Sequence, residues 1–183
     1  MYQYILKSLK VGFWILAPLL FISNAEVVVP AELVDNAGGN YYFSAEGAKE
    51  GSLQGKVLFG TSTESNNEGA SLSSLSLVFF NQEATDPHSI KILISRRNQL
   101  QPFKIGKYKV TENIEGFLNS FEGVFGYVNM NALSERPFFS NKGSVIVRQH
   151  TKNDLRGTIN VAFVGDNGER MLIKGDFHAV RGH

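Results

Sequence analysis

The chain has 183 residues, a formal charge of +1 and no cysteine, with 18 Gly and 14 Phe. The missing cysteine excludes disulfides, thiolate metal sites, a cysteine nucleophile and a lipid-modified N-terminal cysteine. A near-neutral composition rich in Gly and Phe excludes a disordered chain and a bulk nucleic-acid binder.

Residues 1–25 read as a cleaved secretory signal. A basic start (Lys7, Lys10) precedes the apolar run Val11–Ile22, and Ser23 and Ala25 place small residues where a signal peptidase reads them. The run has 12 residues and contains Pro18, well short of the ~20 residues that span a bilayer. Cleavage after Ala25 leaves 158 residues at net −1, enough for one domain. These features predict export to a bacterial periplasm or exterior, with no transmembrane span in the mature chain, which is expected to be a monomer. Residues 26–40 read as an extended lead-in and 41–183 as a single β domain.

From Tyr41 onward, short apolar runs alternate with turn residues. Period-two patterning predicts strands near 41–46, 53–60, 72–80, 89–96, 106–111, 123–130, 143–150, 155–164 and 169–179. Ile90, Ile92 and Ile94 alternate with Lys91, Leu93 and Ser95, and Met171, Ile173 and Phe177 oppose Lys174, Asp176 and His178. Such strands have one face on a core and one in water. Asp166-Asn-Gly168 supplies the positive-φ residues of a tight hairpin, and Lys152-Asn-Asp154 is a second turn. The polar stretch Ser62–Gly69 reads as a mobile loop, Thr111–Gly123 as a helical turn over one end of the fold, and Met130–Asn141 as a long loop. No long helical pattern exists, so the expected class is all-β: an antiparallel β-sandwich or lipocalin-like barrel of about eight or nine strands.

The C-terminal segments Lys142-Gly-Ser-Val-Ile-Val147, Leu155-Arg-Gly-Thr-Ile-Asn-Val-Ala-Phe163 and Met171-Leu-Ile-Lys-Gly-Asp-Phe177 form a three-strand meander, preceded by Gly106-Lys-Tyr-Lys-Val110. This layout resembles uncharacterised small β domains exported to bacterial cell envelopes, over roughly a quarter of the chain. The resemblance implies a sandwich or barrel and transfers no catalytic residue. Many members carry a lipid-modified cysteine, which this chain lacks.

The search for chemistry is mostly negative. Ser71, Ser73, Ser74 and Ser76 lie in a Ser/Leu alternation and read as the solvent face of a strand, without a nucleophile elbow. Gly51-Ser-Leu-Gln-Gly-Lys56 has one residue too few between its glycines for a phosphate loop, and Val57 stands where Ser or Thr must ligate magnesium. Asp176 and His178 share a strand face and His183 follows closely, which makes them the weak metal candidates; two convergent ligands fall short of a site. No cofactor is expected. Glu112, Glu115 and Glu122 beside Phe117 and Phe121 are the carboxylates a glycan-acting enzyme would use, although acids solvating a loop whose aromatics plug a core are the commoner explanation.

Charge is the least uniform feature. Residues 26–86 carry net −7, 87–111 net +6, 112–141 net −3 and 142–183 net +3. The basic segment reads as one hairpin, with Arg96 and Arg97 near its loop and Lys107 and Lys109 on one strand face. Opposite-sign strands lying side by side would cancel such charge through cross-strand pairs; an uncancelled patch would meet an anionic partner.

These readings favour an exported, non-catalytic binding domain with a macromolecular or small-molecule partner other than nucleic acid. Its expected contact residues are Arg96, Arg97, Lys107, Lys109, Phe138 and Phe139. The alternative is a lipocalin-like carrier of a small apolar ligand, and after it a glycan-acting enzyme. An outer-membrane barrel fits less well, because charges recur on the outward faces and residues 26–183 lack tryptophan.

Overall fold

β-branched and aromatic side chains at alternate positions direct one face of every strand inward. The structure, a computed structural model, describes residues 39–65, 71–82, 87–97, 103–111, 122–130 and 132–182. Its nine strands are β1 (Asn40–Gly47), β2 (Gly51–Ser65), β3 (Ser71–Asn81), β4 (His88–Arg97), β5 (Gly106–Lys109), β6 (Gly123–Asn129), β7 (Phe138–His150), β8 (Asp154–Val164) and β9 (Arg170–Arg181). The signal segment, most of the lead-in, the Thr111–Gly123 turn between its ends and His183 lie outside the described residues.

Each strand of the ring β1-β2-β3-β4-β6-β7-β8-β9 pairs antiparallel with its neighbours, and β9 returns to β1. The result is a closed, lipocalin-like up-and-down barrel of eight strands. β5 is the ninth, pairing with β7 at Lys109↔Ser144 and Gly106↔Val147. It wedges in where β6 and β7 part: β6 pairs with β7 only at Tyr127↔Phe139 and Val128↔Phe138, and Thr111 N–H then donates to the Val124 carbonyl. On the far side, beyond the start of β1 at Asn40, β2 and β9 meet directly through Leu58↔Val180 and Phe59↔Arg181.

An eight-stranded barrel has an interior just wide enough to be filled by side chains. Here Phe43, Phe79, Ile90, Ile92, Ile94, Val161 and Phe163 are fully buried within one continuous cluster. The Phe79 ring centroid lies 5.3 Å from Tyr41, 5.1 Å from Phe43 and 5.6 Å from Phe177, so rings from β1, β3 and β9 meet inside the barrel. Glycines provide the room. A Cβ on Gly157 would sit 2.8 Å from the Phe177 ring, and one on Gly175 would sit 2.9 Å from the Phe43 ring. This alternation of small and large inward residues fits the taper of a small barrel.

The structure corrects five expectations. The basic segment is not one hairpin, because β4 pairs with β3 and β6 while β5 pairs with β7. The loop expected up to Asn141 ends at Pro137; a register shift between Ser140 and Lys142 breaks the alternation there and hides the first turn of β7 from a period-two reading. That register sends Phe138 inward to 1% exposure, so it is a core residue and not part of an exposed rim. Ser62–Ser65 extend β2, where Ser62 Oγ meets Ser74 Oγ at 2.7 Å and Thr63 Oγ1 meets Ser73 Oγ at 3.3 Å. Hydroxyl pairs across the strands hold this polar stretch in the sheet without an apolar anchor. Ser73 accordingly faces inward, at 5% exposure, and not into solvent.

Gly143, just past the irregularity, has φ +127°, and a Cβ there would lie 2.8 Å from Val161 Cα. Gly143→Ala is expected to destabilise the barrel by about 1–3 kcal/mol, read as a lower urea midpoint at unchanged m-value.

Candidate functional site

The outer face carries the polar half of each strand's alternation. Ladder register aligns Gln149, Arg156, His178, Asn40, Lys56 and Phe80 as successive partners across β7, β8, β9, β1, β2 and β3. The neighbouring outward row runs Thr158, Asp176, Tyr42 and Gln54. All of these except Thr158 line a groove of about 1070 Å³, to which Arg148, Gln82 and the inward-facing Tyr41 and Phe177 also contribute.

Alternation creates this surface. Tyr41 turns inward, where its hydroxyl lies 2.6 Å from His88 Nε2 in a buried contact, and Tyr42 must then point outward, where it is 64% exposed. A large aromatic left in water beside side-chain amides and cations offers both a stacking face and paired donors and acceptors. Beside the groove, Leu58 and Phe80 form a second, smaller apolar cluster with Val78 and Val180.

The acids of this face are already engaged. Arg148 Nη1 donates to Asp176 Oδ1 at 3.4 Å, His178 Nε2 lies 2.7 Å from Asp154 Oδ1, and Lys174 pairs with Glu46. These three are the only acids on β1, β5, β7, β8 and β9. Arg156, Lys107, Lys109 and Lys142 therefore have no acidic partner among the described residues. β5 lies against β7, a strand without acids, so the cross-strand cancellation of the basic segment does not extend to Lys107 and Lys109.

The expected contact residues separate. Lys107 and Lys109 flank the buried Tyr108 and share the outer face of β5. Arg96 sits at an end of the barrel, with its guanidinium carbon 5.7 Å from the Tyr108 ring centroid, and Arg97 is exposed beyond it. Phe139 is 48% exposed and stacks on Phe125, the ring centroids 6.1 Å apart. Asp176 and His178 do share the outward face, but each bonds to a different partner, and no group of three or more His, Asp or Glu converges among the described residues. Glu122 is exposed, and Glu112 and Glu115 lie outside the described residues.

Comparisons with protein-family models, curated proteins and solved structures found no match. The functional reading therefore rests on the barrel's own geometry.

Burial pushes the Tyr108 phenol above its ordinary value, against the opposing pull of the Arg96 cation, and burial alone does the same to Tyr127. The neutral phenol is thus the form the fold favours. Its contribution to stability is complete below the unfolded tyrosine value of about 10 and disappears as pH climbs through the folded value. In an alkaline absorbance titration, Tyr108→Phe and Tyr127→Phe should each remove a late-ionising phenol.

Proposed function

We propose that the protein is an exported, monomeric, non-catalytic binding module whose outer-face groove takes a saccharide of the bacterial envelope or its surroundings. The observation that carries this reading is Tyr42, 64% exposed inside a groove with Gln54, Gln149, Asn40 and Arg156 around it. Aromatic faces suit the apolar face of a sugar ring, and amides supply the paired donors and acceptors that hydroxyls need.

Two alternatives have less support. A closed eight-stranded barrel is also the architecture of carriers for apolar ligands, but the packed rings of Tyr41, Phe43, Phe79 and Phe177 fill the interior between β1, β3 and β9. Glycoside hydrolysis needs two facing carboxyl groups, whereas Asp176 is the one carboxylate among the described lining residues, and Arg148 holds it. No helix among the described residues is long and apolar enough to cross a membrane. A membrane-spanning barrel would present an apolar outside and a polar lumen, the reverse of this arrangement of Phe and Ile inside with Arg156, Lys174 and Asp176 outside.

The test is a saccharide panel screened for binding and hydrolysis, alongside native mass spectrometry of the purified protein. Saturable binding without released sugar is the expected result. Co-purified lipid with no saccharide bound would replace this reading with the carrier, and sugar release would replace it with an enzyme.

A further inference from the structure

On the outer face of β5, β7 and β8 a second cavity of about 490 Å³ is lined by Lys107, Lys109, Lys142, Ser144 and Asn160. We infer that it is a phosphate-binding subsite, occupied by a phosphate ester carried on the saccharide bound in the neighbouring groove.

Three features point to this ligand. First, the lysines come together only through tertiary structure: β5 supplies two, and the register shift between Ser140 and Lys142 marks the strand irregularity that precedes the third. All three are exposed and have no ion-pair or hydrogen-bond partner among the described residues, while the acids nearby are held by Arg148, Lys174 and His178. Second, Ser144 is only 8% exposed, yet its hydroxyl has no hydrogen-bond partner among the described residues and opens into this cavity. A hydroxyl that reaches the cavity can donate to a ligand oxygen held there. Third, every cation in the set is a lysine, a compact point charge with rotatable donors that binds phosphate oxygens without requiring one fixed geometry.

The subsite and the groove are joined by one ladder row. Lys107 is followed across the sheet by Ile146, Thr158, Asp176 and Tyr42 on one ladder row. That is four strand spacings, roughly 19 Å measured along the sheet, the reach of a short oligosaccharide. The source of the phosphate rests on the saccharide reading; the anion site itself does not.

The test titrates inorganic phosphate into the isotopically labelled full chain at constant ionic strength and follows backbone amide signals. Saturable shifts should centre on Lys142, Gly143, Ser144 and Asn160 at millimolar phosphate. They should weaken at least tenfold in Lys107→Gln/Lys109→Gln/Lys142→Gln, whose exposed side chains leave folding intact, and Ser144→Ala should weaken them less. Acetate at the same concentration should shift them less than phosphate. Non-saturating shifts, saturation elsewhere, or an unchanged triple variant would overturn the site. A second arm adds phosphatidylglycerol vesicles. Co-sedimentation that the triple variant loses would assign the phosphate to a lipid headgroup and overturn the saccharide source, whereas no co-sedimentation supports it. Tyr42→Ala should leave the phosphate shifts in place, so failure of the groove and failure of the subsite remain distinguishable.

Discussion

Phe79→Ala is expected to cost about 3–5 kcal/mol of folding free energy, the range for removing a fully buried phenyl ring. Phe79 has no exposed surface and touches rings on two other strands, Tyr41 and Phe43 on β1 and Phe177 on β9. The cavity left at the axis cannot close easily, because the hydrogen bonds of a closed barrel resist radial collapse. For a domain of this size each kcal/mol moves Tm by roughly 2–4 °C, so a fall of about 10 °C or more is expected. Phe139→Ala is the contrast, since its ring is 48% exposed on the outer face. It should cost less than about 1 kcal/mol. Equal losses in thermal denaturation would mean that the barrel axis is not where its stability resides.

The second large effect is on binding. Tyr42→Ala should weaken saccharide binding by about 10- to 100-fold, or roughly 1.4–2.8 kcal/mol, the range for an aromatic anchor in a recognition surface. Arg156→Ala should act in the same direction, because Arg156 has no acidic partner among the described residues and its donors are available to a ligand. Both side chains are exposed, so thermal stability should change little. Lys91 lies on β4, away from the groove, and Lys91→Ala serves as the control. A titration in which Tyr42→Ala binds like the native protein would remove the groove from consideration.

Much of the fold was legible in the primary structure because inward residues recur with period two. The alternation in Ile90–Ser95 and in Met171–His178 maps onto buried and outward positions almost residue by residue. The misreadings fell where another interaction overrides that period. Hydroxyl pairs carry β2 through Ser62–Ser65, and a register irregularity conceals the start of β7. The candidate site was much less legible. Lys107, Lys109, Asp176 and His178 could be placed on outward strand faces. Arg148 and Arg156 could not be joined to Tyr42 and Gln54, because the two pairs lie on separate hairpins, β7–β8 and β1–β2, far apart along the chain. The consecutive aromatics Tyr41 and Tyr42 were the available signal: in a strand, one of two neighbours must face outward.

Taken alone, the sequence determined the all-β class, the nine strands, most of their boundaries and the sign of each charge block. These are local properties, set by side-chain shape and by spacing within a few residues. Tertiary structure decided what depends on which strands become neighbours. It closed the ring and chose a barrel over a sandwich, turned Phe138 into the core, and filled the axis with rings. It also separated β4 from β5 and set Lys107 and Lys109 beside an acid-free strand, so that the positive charge of that segment is not cancelled there. Strand pairing is a contact between distant parts of the chain, and local periodicity carries no information about the partner.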